Sequence, residues 1–353
     1  MLRLPPFRYH RPASVEEAAA LLAGAGAAHG PTEQTVRLVA GGTDLWPNMK
    51  RRHQKAAEVV SLMAIPGLAG VDGNGAGEIR IGATTLLDDV AQDARISVRY
   101  PALATAIAAI SSPPLRQMGT LGGNLCVDTR CTYYNQTEDW RRSIGYCMKA
   151  EGKICWVATS SPRCLAHTAS DAAPMLCALG ARVRLVSSAG DRVVPLESIY
   201  YDDGIRYLAK RPDEILTRVL LPEESDAAHC RSSFWKLRRR GSIDFAVLSA
   251  AAALWIDGGV ITRARLFLGA VASFPTPAEE AEAFLTGKEP TPEVLAEAAR
   301  LARKSATPFD NTDFQAQWRS TMVARYTEAA LREAAGLDPG RLAPRHEMAV
   351  AGT

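Results

Sequence analysis

Asn124 and Asp171 stand 47 positions apart, and the stretch between them constrains this chain more than any other feature. From Leu125 to Ala169 no helical or strand period can be read. A run this long without secondary structure is foreign to a compact domain unless something orders it. Five of the seven cysteines fall here: Cys126, Cys131, Cys147, Cys155 and Cys164. Tyr133, Tyr134, Trp140, Tyr146 and Trp156 imply that the stretch packs around something. Cys131, Cys147, Cys155 and Cys164 are spaced 16, 8 and 9 apart, unlike the tight C-x-x-C of ferredoxins and zinc ribbons. Spacing alone therefore leaves the metal unspecified, because four thiolates suit zinc and iron–sulfur clusters alike. A zinc-stapled loop and plain core thiols both remain open at this point.

The rest of the chain is regular. With 353 residues, two to three domains are expected. Ser14 and Glu17 form a capping box before the helical run Ala18–Leu22. Val36–Ala40 and Val59–Met63 read as strands, which closes a first unit at about residue 65. Strand Glu78–Ile81, helices Leu86–Gln92 and Pro101–Ile110, a glycine-rich turn at Gly119–Asn124, helix Asp171–Leu179 and a hairpin over Arg182–Pro195 make a second unit, 66–224. The aperiodic segment, about 125–169, is inserted in it. In a third unit, 225–337, Ala246–Trp255 and Thr262–Val271 flank the hairpin signal Asp257-Gly258-Gly259. Helical patterns follow at Pro277–Leu285, Pro292–Ser305 and Phe314–Ala335, and 338–353 reads as a loose tail. Strands and helices cluster rather than alternate, so the expected class is α+β.

A formal charge of +3 makes no case for nucleic acid or a membrane surface. Phe245–Ile256, the longest apolar stretch, is too short to span a bilayer. With no secretory signal visible, a cytoplasmic location is expected and disulfides are not. His10, His29, His53, His167, His229 and His346 show no metal-ligand spacing and no nucleophile triad, so no catalytic residue is expected. His167 reads as polar surface, and Arg51-Arg52-His53 and Arg238–Arg240 as solvated or interface charges. Cys126, Cys177 and Cys230 read as small buried hydrophobes.

Two glycine turns carry the candidate binding chemistry. Gly41-Gly42-Thr43-Asp44 follows a strand, and Thr120-Leu121-Gly122-Gly123-Asn124 is a turn of similar kind. Glycine lets a backbone approach a ligand and present successive N–H groups, a nest suited to pyrophosphate. Neither is a G-x-G-x-x-G fingerprint or a P-loop.

Both turns resemble the FAD loops of the flavin subunits of the xanthine dehydrogenase family, the first over Leu38-Val39-Ala40-Gly41-Gly42-Thr43-Asp44-Leu45 and the second over Gly119–Asn124. More stretches fit in order. Ser170-Asp171-Ala172-Ala173-Pro174 resembles the family's Ser-Asp motif, whose carboxylate binds FAD. Ile215–Pro222, with Leu216, resembles a strand ending beside the flavin. Trp235-Lys236-Leu237-Arg238 with Asp244 resembles the stretch whose lysine lies near the isoalloxazine. Gly269–Ala272 resembles the start of the C-terminal domain. The resemblance implies two α/β subdomains holding an extended FAD, followed by an α+β domain. Pyrophosphate would lie against Ala40–Thr43 and Thr120–Gly123, Ile110 against the flavin, and Lys236 on a flavin carbonyl.

The insertion, with Asp128-Thr129-Arg130-Cys131-Thr132-Tyr133-Tyr134-Asn135-Gln136, resembles that of the β subunits of 4-hydroxybenzoyl-CoA reductases, where it holds a 4Fe–4S cluster. That likeness implies Cys131, Cys147, Cys155 and Cys164 as cluster ligands. It further implies an electron-transfer subunit fed by a low-potential, ferredoxin-like donor. Its partners would be a 2Fe–2S small subunit and a molybdenum-cofactor large subunit, in a dimer of trimers that reductively dehydroxylates an aromatic CoA thioester. Other molybdenum hydroxylases or dehydrogenases with the same insertion remain possible readings, as does a zinc-stapled structural subunit.

Overall fold

A computed structural model describes residues 2–24, 35–73, 77–223, 229–340 and 342. His29, His346, the boundary at 224/225 and most of the tail 338–353 lie outside the described residues. Three sheets divide the chain. Strands β1 (Arg8–His10), β2 (Val36–Val39) and β3 (Glu58–Ser61) form a parallel sheet in the order β1-β3-β2. Strands β4 (Val71–Asp72), β5 (Ile79–Gly82), β6 (Arg182–Ser187), β7 (Gly190–Pro195) and β8 (Ile215–Leu221) form an antiparallel sheet, order β4-β5-β8-β6-β7. Strands β9 (Cys230–Leu237), β10 (Leu248–Asp257), β11 (Val260–Gly269) and β12 (Thr276–Pro277) form the third, order β12-β11-β10-β9.

Strand β10 joins the two larger cores. Its sequence, Leu-Ser-Ala-Ala-Ala-Ala-Leu-Trp, has the composition of a helix, yet it pairs on both sides and is buried almost throughout. Side chains alternate across a sheet. Ala251, Ala253 and Trp255 face the core of the second sheet, while Leu248, Ala250, Ala252 and Leu254 face that of the C-terminal helices. Small alanines let both layers approach, so tertiary packing overrides helix propensity. Gly258 and Gly259 close the β10–β11 hairpin with φ +56° and +83°, the twist a two-residue turn needs. Helices Glu279–Leu285, Pro292–Ser305 and Ala316–Ala334 cover the outer face.

Several expectations shift in detail. Helix Val15–Ala23 is capped by Ser14, whose Oγ accepts from the Glu17 amide at 3.1 Å, but the Glu17 carboxylate reaches back to the Ala13 amide instead of Ser14. The helix read to Ile110 ends at Ala108. The glycine turn at 119–124 is the entrance to a short helix, Leu121–Leu125, with Thr120 as its cap.

The segment read as aperiodic is ordered, mostly by long-range contacts. It contains one short helix, Glu138–Ser143, and its two ends meet where Arg130 and His167 exchange backbone hydrogen bonds of 2.8 Å. It touches all three parts of the molecule. Gln54 donates to Asp128 at 3.0 Å, and Arg141 to the carbonyls of Arg51 and Arg52 at 3.2 and 3.1 Å. Thr129 donates to Gly204 O at 2.6 Å. Thr132 N donates to Asn311 O at 2.9 Å, and Asn311 Nδ2 to Leu165 O at 2.6 Å. His53 and His167, read as surface, are buried instead, and a backbone carbonyl, Gln136 O and Thr168 O respectively, partners one ring nitrogen of each. Among the described residues no helix is long and apolar enough to cross a membrane.

Candidate functional site

A cleft of about 390 Å³ opens between the first two sheets. That is the size of a cofactor site. The run Thr35–Leu45 forms one wall; Ile110, Gly119, Thr120, Gly122, Gly123 and Asn124 line the other, and Leu216 contributes from β8. Of the residues expected to bind the cofactor, all line this cleft except Leu121, Asp171 and Lys236.

The glycines answer first to the protein. A Cβ on Gly41 would sit 1.6 Å from the Met118 carbonyl oxygen, so the two loops meet there backbone to backbone. One on Gly122 would lie 2.7 Å from the Ala83 Cβ, and one on Gly42, at φ +72°, 2.0 Å from Trp46 Nε1. The amides of Leu121 and Gly122 donate to Thr85 O and Ala83 O at 3.0 and 2.8 Å, and that of Gly123 to the Thr120 hydroxyl at 3.2 Å. In the second loop the expected nest of free N–H groups is thus committed to the fold. The cradle is set by how closely the two loops can approach.

Ile110 and Ser111 line the cleft. Ser111 has φ +49°, a costly conformation for a non-glycine residue, and three consecutive carbonyls around it are clamped. Ala109 O accepts from Lys236 Nζ at 2.9 Å, Ile110 O from Arg116 at 2.9 Å, and Ser111 O from the Ile243 amide at 2.9 Å. Lys236 also donates to Asp171 Oδ2 at 2.6 Å and Asp244 O at 3.0 Å. Its three donors are therefore taken, and in this structure it positions the Ile110–Ser111 turn. Asp171 is buried behind Asn124, whose Oδ1 accepts from Ser170 at 2.7 Å. Burial pushes the Asp171 carboxyl up, against the pull of Lys236. Its Oδ1 has no hydrogen-bond partner among the described residues.

Sequence reasoning missed Arg37, Gln54, Val127, Tyr207 and Lys210, and quoted Asp128 only as part of a motif; all line the cleft. Tyr207 and Lys210 lie in a turn-rich stretch with no period, so no local signal marks them. Arg37 could have been suspected as a cation in the strand that feeds the first glycine turn.

Cys131, Cys147, Cys155 and Cys164 are all buried and line one further cavity, with Tyr133, Tyr134, Met148, Lys149, Trp156 and Val157. Its volume is about 10 Å³, room for little more than a water. Among the described residues no three His, Cys, Asp or Glu stand in metal-holding geometry. The donor chemistry is that of a soft metal or cluster: four buried thiols from distant positions line one cavity, and no disulfide joins them. Burial pushes the Cys131 thiol up to about 11 and Cys164 up to about 12. As thiolates they need a compensating positive charge, which a bound metal supplies. Of the cysteines left out of this set, Cys177 is fully buried, while Cys126 and Cys230 are half-buried against the same core.

Known flavoprotein subunits match the chain over most of its length. Residues 5–224 match the FAD binding domain in molybdopterin dehydrogenase, and residues 232–334 match the CO dehydrogenase flavoprotein C-terminal domain. The aldehyde oxidoreductase FAD-binding subunit PaoB of Escherichia coli (strain K12) is 32% identical over 259 residues, 71% of this chain and 79% of that protein. The carbon monoxide dehydrogenase medium chain of Hydrogenophaga pseudoflava is 26% identical over 94% of this chain and 97% of its own. A solved structure of that carbon monoxide dehydrogenase superposes with a TM-score of 0.76 at 26% identity, covering 94% of this chain and 98% of that one. Quinoline 2-oxidoreductase from Pseudomonas putida 86 gives 0.72, also at 26%, covering 95% and 98%.

Proposed function

The chain belongs to the FAD-binding medium subunits of the xanthine dehydrogenase and CO dehydrogenase family, and from that premise we propose that it is an electron-transfer subunit carrying a 4Fe–4S cluster beside its FAD. The observation that carries the proposal is the convergence of Cys131, Cys147, Cys155 and Cys164 on one buried cavity next to the flavin cleft. FAD exchanges one or two electrons and an iron–sulfur cluster one at a time, so together they suit a junction between carriers. Ala40–Thr43 and Thr120–Gly123 would hold the pyrophosphate. Ile110 and Leu216 would shape the flavin site, and Asp171, set back from the cleft, would act on it through Lys236. Lys236 and Arg116 hold the Ile110–Ser111 turn in its strained form.

The chain would work with a 2Fe–2S small subunit and a molybdenum large subunit, paired as a dimer of trimers, and take electrons from a low-potential, ferredoxin-like donor. A reducing compartment such as the cytoplasm fits seven free cysteines. The likeness of Asp128–Gln136 to the 4-hydroxybenzoyl-CoA reductase insertion supports reductive dehydroxylation of an aromatic CoA thioester as the reaction of the complex. The 32% identity to an aldehyde oxidoreductase subunit favours a second reading, in which the complex oxidises an aldehyde and electrons leave through this chain.

The test is content, then direction. Protein isolated without oxygen should hold one FAD and about four irons per chain; zinc in place of iron would sink the cluster. In the assembled complex, reduced ferredoxin with 4-hydroxybenzoyl-CoA and an aldehyde with an oxidised acceptor separate the two reactions by which pair turns over.

A further inference from the structure

The cleft and the cysteine cavity share a thin wall, and its centre is a buried ion pair. Lys149 lines the cysteine cavity and Asp128 lines the cleft. Lys149 Nζ lies 2.7 Å from Asp128 Oδ1, with both side chains almost fully shielded from solvent. The other two ammonium donors go to Thr129 Oγ1 at 2.5 Å and Gly204 O at 2.6 Å. Gly204 is itself seated on a cysteine. Its amide donates to Cys164 O at 2.8 Å, and a Cβ there would stand 2.7 Å from Cys164 Sγ. The ammonium thus sits one residue away from a proposed cluster ligand. It also lies 5.2 Å from the ring of Tyr134, which lines the cysteine cavity, and 5.7 Å from that of Tyr207, which lines the cleft. On the cleft side, Asp128 Oδ2 is held by Gln54 at 3.0 Å.

A stability role alone does not account for this arrangement. Buried ion pairs are seldom better than well-packed apolar residues of the same size. What a fixed charge does inside a low-dielectric wall is bias any group beside it that changes charge. The pair is a dipole whose positive end faces the thiols and whose negative end faces the flavin cleft.

We propose that Lys149 and Asp128 set the driving force between the two redox groups, Lys149 raising the potential of the cluster and Asp128 opposing it from the flavin side. The inference rests on the cluster reading above. Reduction adds negative charge to the cluster, so a neighbouring cation favours the reduced form and a neighbouring anion disfavours it. Removing each partner should therefore move the cluster midpoint in opposite directions, which disturbed packing would not do.

The test is a redox titration of the full chain, prepared without oxygen and followed by electron paramagnetic resonance. Lys149→Met should lower the cluster midpoint by at least about 59 mV, a tenfold change in the one-electron equilibrium. Asp128→Asn should raise it. The double variant, which leaves no unpaired buried charge, should return toward the wild-type value and guards against a single variant that fails to fold. Wild-type midpoints in iron-loaded Lys149→Met and Asp128→Asn, or shifts of one sign in both, overturn the inference while leaving the cluster standing. Wild-type protein without iron overturns the cluster reading and this inference with it.

Discussion

Asp128 has the cleft on one side and the Lys149 wall of the cysteine cavity on the other, and the two spaces are built differently. The cleft is about 390 Å³, and two of its lining loops press together backbone to backbone at Gly41 and Met118 O. The cavity is far smaller, about 10 Å³, and its four cysteines come from separated positions in the chain. One is a shape that exists because no Cβ is present. The other is a set of donors gathered by long-range contacts. The cleft should therefore be sensitive to a single methyl group and the cavity to loss of a single donor.

They are not independent. Arg130, next to Cys131, pairs with Asp44 in the first glycine loop, donates to Asn48 at 3.3 Å, and lies 4.6 Å from the ring of Phe245 at the cleft. The insertion is thus a brace across the cleft as well as a graft on one subdomain.

The largest effect expected is from Gly41→Ala. The new methyl has no place beside Met118 O, and overpacking against backbone costs about 3 kcal/mol or more. FAD content should fall more than tenfold while iron is kept, as read by absorbance and metal analysis. Full flavin in this variant would break the account of the cleft as a backbone contact.

Next comes Cys147→Ser, which should lose the iron outright, as should Cys155→Ser. FAD affinity should fall by a smaller factor, because the Arg130–Asp44 tie is loosened but the glycine contact remains. Cys177→Ser, remote from the cavity, should keep both cofactors. Unchanged FAD affinity in the iron-free protein would show that the insertion braces nothing.

The smallest effect concerns acid. Burial holds the His167 imidazole down at about 3, so the folded chain keeps it neutral while the unfolded chain protonates near 6.5. Its stabilising contribution is complete above pH 6.5 and is lost as pH falls toward 3. The slope is at most about 1.4 kcal/mol per pH unit. Denaturant titrations at pH 7 and pH 5 should show His167→Gln losing less stability on acidification than wild type. Equal losses in both would mean that the base of the insertion is not where acid acts.

These regions differ equally in how far they could be read from the sequence. The first glycine loop was legible because its constraint is local: a strand running into Gly-Gly-Thr-Asp can do few things. The hairpin at Asp257-Gly258-Gly259 was legible for the same reason, and helix Pro292–Ser305 came out at its observed bounds because cap and period agree. Lys236 was found, but its engagement was not, since only the fold brings Asp171, Ala109 O and Asp244 O to its three donors. The insertion stayed opaque because its order comes from contacts such as Thr132 with Asn311, and no window of sequence contains both partners.

The sequence by itself determined where the glycine turns lie, which cysteines were grouped, and that strands and helices cluster. Those properties depend on residue type and near neighbours. Tertiary structure alone decided that the glycines serve loop-to-loop contact and that four cysteines share one cavity. It also decided that His53 and His167 are buried and that Lys149 stands between two candidate redox sites. Each of these is a distance between residues far apart in the chain, fixed only when packed sheets and satisfied buried polar groups leave one arrangement available.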